Sequence, residues 1–117
     1  MPLDLGALSD ARRGWAREEA ASELRLKRLV YEQEQGWKDL SRKFEEAKKK
    51  LVLTVQIETA QLSKVRRERE RLNQGRSTTY LTLLFEQDFA QSQLARIHAE
   101  ADVLAVIAQM ELFGEAP

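Results

Sequence analysis

The chain has 117 residues; 32% are charged and 43% hydrophobic, with nineteen basic groups balancing nineteen acidic ones. Proline occurs only at Pro2 and Pro117, cysteine is absent, and the strong helix formers Ala, Glu, Lys, Leu, Arg and Gln dominate. Such a composition belongs to long helices or a coiled coil; it excludes a β-sandwich, a doubly wound α/β fold and a disulfide-stapled miniprotein, and its balanced charge offers no net field to nucleic acid or anionic lipid.

At the start, Met1-Pro2-Leu3-Asp4 lacks the basic and apolar regions of a signal peptide. No apolar run approaches the roughly 20 residues that a membrane-spanning helix needs. After residues 1–6, read as a strand end or linker, a helical pattern runs almost unbroken over residues 7–72, with Ser9 and Asp10 as candidate caps. Acid-then-base pairs recur four residues apart: Glu23–Lys27, Glu34–Lys38, Asp39–Lys43, Glu45–Lys49 and Glu46–Lys50. Each supports an exposed helix by a few tenths of a kcal/mol. Gly14-Trp15 and Gly36-Trp37 repeat at 22 residues, six turns at about 3.67 residues per turn. Trp37, Leu40, Phe44, Ala47 and Leu51 form one apolar stripe. Leu62, Val65 and Leu72 continue a shifted one, which Arg69 interrupts.

The strong break comes at residues 73–78. Gly75 suits the left-handed residue that ends a helix, and Ser77, Thr78 or Thr79 can cap the next. The second helix is expected over residues 79–113, with 114–117 as a tail. It carries two stripes at coiled-coil spacing. One is Ala90, Leu94, Ile97, Ala101, Leu104 and Ala108; the other is Ala99, Val103, Val106, Met110 and Phe113. A two-helix hairpin needs only one, so this helix is expected to have neighbours on two sides, as in a bundle or a closed wall of helices. The expected fold class is therefore all-α, a long antiparallel helical hairpin. At 1.5 Å per residue its arms are about 98 Å and about 52 Å long. About thirty residues of the longer arm then lack a partner in the chain, and other protein is expected to cover Leu8 to about Val30. Residues 1–73 carry a net charge of +4 and residues 74–117 one of −4, which favours folding the two together.

Chemistry-bearing patterns are few. His98 stands alone between Ile97 and Ala99 and reads as a polar-face residue. No His, Cys or carboxylate group has metal-ligand spacing, so no metal or cofactor is expected. Glu18–Glu19 and Glu45–Glu46 are flanked by bases and read as solvated surface. Gly75 is a lone turn glycine rather than a phosphate loop. The run Val65-Arg66-Arg67-Glu68-Arg69-Glu70-Arg71 is basic, but Glu68 and Glu70 cut its charge. It reads as a solvated helix end favoured by the C-terminal dipole, not as a nucleic-acid stripe. No enzymatic activity is expected.

What remains is the tip. A turn needs a glycine and a cap; it does not need Tyr80, Leu81, Leu83, Leu84 and Phe85 directly afterwards. Apolar and aromatic residues there suggest contacts beyond the hairpin. In this segment Arg71, Gly75, Thr78, Thr82-Leu83 and Glu86 resemble the tip pattern of the TolC family of outer-membrane efflux channels. Gln91, Gln93-Leu94-Ala95, Ala99, Ala101 and Leu112-Phe113-Gly114 are similar to that family's returning helix. Trp37, Leu40, Ala47, Leu51, Ala60 and Leu62 fit its descending helix, and residues 1–6 look like the end of the preceding barrel strand.

The resemblance implies a hairpin from the periplasmic α-barrel of a trimeric channel, in the outer membrane of a Gram-negative cell. Such a channel meets the membrane through a β-barrel that this sequence lacks, so the chain is read as a fragment of a longer protein. The hairpin would line the export conduit and dock a periplasmic adaptor (membrane fusion) protein through its tip. Asn73, Gln74, Gly75, Arg76, Ser77, Thr78 and Tyr80 are the implied partner-binding residues. Where many members carry aspartates after the turn, this chain has Leu81 and Leu84, so these two positions supply no carboxylate to an acidic, cation-selective ring, and the charge selectivity of the pore entrance stays open. The alternative is a free-standing coiled-coil interaction module without a transport role.

Overall fold

A computed structural model of the chain describes residues 5–115. Two helices make up the described fold: α1, Leu5–Asn73, and α2, Thr79–Glu115. The all-α hairpin expected from composition is the fold observed.

The helix ends differ slightly from expectation. Leu5 and Gly6 already belong to α1 rather than to a strand end or linker, and residues 1–4 lie outside the described residues. Ser9 and Asp10 are therefore helix-interior residues, not caps. Nothing within α1 forbids the helical conformation, and each of its glycines, Gly6, Gly14 and Gly36, costs only about 1 kcal/mol. At the far end α2 passes through Gly114 to Glu115.

The chain divides into two compact units, residues 1–38 and 39–117. In the first, apolar side chains lie exposed all along the helix: Leu5, Leu8, Trp15, Leu24, Leu26, Leu29, Val30 and Tyr31. The second unit is the hairpin proper. Its antiparallel register is fixed by two cross-hairpin ion pairs, Arg69–Glu86 near the turn and Arg96–Glu58 further out.

The burial pattern assigns the seam. On α1 a row of covered positions runs through Leu40, Phe44, Ala47, Leu51, Thr54, Glu58, Gln61, Val65, Glu68 and Leu72, alternating by four and three without a slip. The apolar stripe is thus not shifted at Leu62; the seam continues in register, and polar residues occupy it. On α2 the matching row is Thr82, Phe85, Phe89, Ser92, Arg96, Ala99, Val103, Val106, Met110 and Phe113. The second of the two expected stripes is the one turned inward, and it extends back to Thr82 through polar positions.

Near the turn this seam is markedly polar. Val65 and Ala99 are the buried apolar residues among those described, while Thr54, Glu68, Thr82 and Ser92 are buried as well. Thr54 and Ser92 satisfy their hydroxyls locally, donating to the carbonyls of Leu51 and Phe89. Arg96 donates to both Glu58 and Glu100. These two carboxylates, Glu100 foremost, hold the Arg96 guanidinium above its ordinary pKa. A raised pKa contributes stability below the group's ordinary range and loses it only above the folded value, so this contribution is constant around neutral pH. Gln61 Oε1 lies buried with no hydrogen-bond donor, a local cost of about 1–3 kcal/mol.

The other α2 stripe faces away. Ala90, Leu94, Ile97, Ala101, Leu104 and Ala108 are all exposed, Leu104 by 66%. Tyr80 and Leu83, at the start of the helix, are exposed on the same side. On α1, Val52, Leu53, Val55 and Ile57 flank the seam and remain open.

Surface ion pairs form, but not at the expected positions. Arg42 joins Asp39 at 3.5 Å and Glu46 at 4.0 Å, and Lys48 joins Glu45 at 3.7 Å. None of the five anticipated pairs closes among the described residues. Spacings of three and four both lie within reach on a helix surface, and neither is worth more than a few tenths of a kcal/mol.

Candidate functional site: the hairpin tip

The turn is built from its own backbone. Gly75 has φ +73°, the left-handed conformation expected of it. Gly75 N–H donates to the Leu72 carbonyl at 3.0 Å, and Arg76 N–H to the Arg71 carbonyl at 2.8 Å. This pair of bonds is the Schellman closure of a helix C-terminus. A Cβ at Gly75 would meet nothing within 4 Å. The demand for glycine is therefore purely conformational, roughly 1–2 kcal/mol for an L side chain.

Thr78 caps α2: its Oγ1 accepts the Leu81 N–H at 3.1 Å. Of the three hydroxyl residues considered, Thr78 alone takes this role, because it directly precedes the first helical residue. Ser77 points inward instead and donates its hydroxyl to Glu68 Oε1. The other Glu68 oxygen faces Arg71 at 3.5 Å, and Arg71 reaches on to the Arg76 carbonyl at 3.4 Å. Glu68 is 3% exposed. Its carboxylate thus ties the end of α1 to the turn and is not part of the solvated surface that its sequence neighbourhood suggests.

The seven tip residues accordingly separate into two groups. Gly75, Ser77 and Thr78 carry the turn. Asn73, Gln74, Arg76 and Tyr80 are exposed, with Tyr80 71% accessible. Leu83 and Leu84 lie one turn beyond Tyr80 and continue an apolar surface away from the tip.

On the α1 flank the basic run is organised rather than diffuse. Arg69 is bound across the hairpin by Glu86 at 2.9 Å. The Lys64 ammonium sits 4.4 Å from the centroid of the Phe85 ring, a cation–π contact. Arg67 donates Nε–H to the Ser63 carbonyl at 3.4 Å. Lys64, Arg67, Glu68, Arg71 and Phe85 line one concavity of about 450 Å³. Sequence reasoning missed it because alternation of Glu and Arg along the chain hides which carboxylates turn inward. The signal was present: Leu40, Ala47, Thr54, Gln61 and Glu68 recur every seven residues, which places Glu68 on the seam position that Leu40 opens.

His98 is exposed, and among the described residues no group of His, Cys, Asp or Glu is arranged to hold a metal. No helix among the described residues is long and apolar enough to cross a membrane. No family model, curated protein or solved structure matches the chain.

Proposed function

We propose that the chain is a helical hairpin of a trimeric outer-membrane efflux channel of the TolC kind. In this reading it lines the periplasmic part of the export conduit and docks a periplasmic adaptor protein through its tip. The observation that carries the proposal is the tip itself: a self-closed turn at Gly75 that leaves Arg76 and Tyr80 presented to solvent, in the segment whose residues resemble that family. The two opposed stripes of α2 support it as well. A helix in a closed wall needs a partner on each side, whereas a solitary hairpin needs one. The mechanism is structural. The hairpin contributes wall and docking surface, and no bond is made or broken.

The test is a parent channel carrying Arg76→Ala together with Tyr80→Ala. Arg and Tyr are enriched among residues that dominate binding energy, and truncation of such a residue costs about 2 kcal/mol or more. Adaptor binding, measured by pull-down with purified adaptor, is expected to weaken about tenfold or more, and efflux to fall with it. Folding and trimer formation should survive, since neither side chain takes part in the turn's backbone bonds. Unchanged efflux and adaptor binding would reduce the tip to a mere turn and move any docking to the helix flanks.

A further inference from the structure

We infer that the concavity on the α1 flank of the tip is a binding site for a carboxylate-bearing helical segment of another protein. Three cations, Lys64, Arg67 and Arg71, stand along one face of α1 at spacings of three and four. They span about 10 Å of helix. Glu68 is the one carboxylate lining the same concavity, and both of its oxygens are already engaged, by Ser77 and Arg71. Its charge is therefore directed into the turn. Among the described residues Lys64 and Arg67 face no carboxylate within ion-pair distance, and Arg67 uses Nε, leaving both terminal nitrogens of its guanidinium open. Phe85 supplies an apolar wall from α2 beside the cations.

That set matches one occupant. A helix laid alongside α1 repeats its own side chains every three or four residues, so carboxylates at that period meet Lys64 and Arg67 at once, while Arg71 stays with Glu68 and the Arg76 carbonyl. A leucine between them covers the Phe85 edge. Arginine favours planar, bidentate recognition of a carboxylate. A nucleic-acid backbone fits less well, because Glu70 lies on the neighbouring exposed surface and Phe85 is the one aromatic lining the concavity, with no second ring for a base to stack on. The site is distinct from Arg76 and Tyr80 and does not depend on the transport reading.

The experiment uses the full 117-residue chain and fluorescence anisotropy. The probe is a labelled helical peptide of about four turns, with Glu at spacings of three and four and Leu between them. The reference is the same peptide with Gln for every Glu. The acidic peptide is expected to bind about tenfold more tightly or better, and its affinity to fall on raising salt from about 50 to about 500 mM. Lys64→Gln with Arg67→Gln should abolish that preference. Phe85→Leu, which keeps the seam filled, should weaken it several-fold. Arg12→Gln with Arg13→Gln should leave it intact. Circular dichroism of each variant checks that the hairpin is retained, as expected where Lys64 and Arg67 are exposed. Equal binding of the Gln peptide, or an undiminished preference in the Lys64/Arg67 variant, would overturn the proposal. So would tighter binding of a single-stranded oligonucleotide than of the acidic peptide.

Discussion

Ala99→Leu is expected to destabilise the hairpin by about 1–3 kcal/mol, whereas Ala101→Leu, two residues away, should change stability by no more than about 0.5 kcal/mol. Sequence gives the two alanines equal standing, since each belongs to a stripe of coiled-coil spacing. The structure separates them. Ala99 is 1% exposed at the seam, and Ala101 is open on the opposite face. Three added carbons at Ala99 have no room unless the helices part, which also strains the neighbouring Arg96–Glu58 pair. The same carbons at Ala101 enter solvent. Urea unfolding followed by circular dichroism at low micromolar concentration measures both. If Ala101→Leu were the costly change, the inward and outward stripes of α2 would have to be exchanged.

The second large effect concerns association. The full chain at tens of micromolar is expected to sediment as a species heavier than the monomer, and Leu94→Glu with Leu104→Glu to return it to the monomer. Both leucines are more than half exposed. Burying a leucine fully contributes about 1.5–3 kcal/mol, so losing two lowers an association constant about a hundredfold or more. The seam within the chain is unaffected, and the double variant should keep its helix content. A monomeric mass for the unmodified chain in sedimentation equilibrium at that concentration, with full helicity, would contradict this account of the open stripe.

The legible parts of the structure were those fixed by single residues with sharp conformational preferences. Gly75 marked the reversal because few other residues accept φ +73°, and a hydroxyl residue just after it marked the start of α2. The two stripes of α2 were legible because its apolar residues keep one period for many turns. The seam near the tip was not. Thr54, Glu58, Gln61 and Glu68 on one helix, and Ser92 and Arg96 on the other, look like surface residues when hydrophobicity alone is read. All but Gln61, whose Oε1 has no donor, enter the interface because hydrogen bonds and ion pairs across or along the hairpin satisfy their polar atoms. Periodicity then appeared to slip to Leu62, although the three-four spacing itself continues. The tip residues stand together in the sequence, but their division into turn-forming and presented side chains emerges only in three dimensions. Nothing in the order of residues says that Ser77 turns in while Arg76 turns out.

The turn's self-sufficiency has a kinetic consequence. The backbone and capping bonds that close it lie between Glu70 and Thr82, so the chain can reverse direction before any distant contact exists. Loop closure is then met once, over a few residues, and each further heptad joins two stretches of helix already held side by side. Assembly of the hairpin should therefore proceed like a zip from Gly75 towards Phe113. Substitutions at Val65 should slow refolding, while those at Met110 should mainly hasten unfolding; stopped-flow refolding of the two variants distinguishes this order from one that begins at the open end.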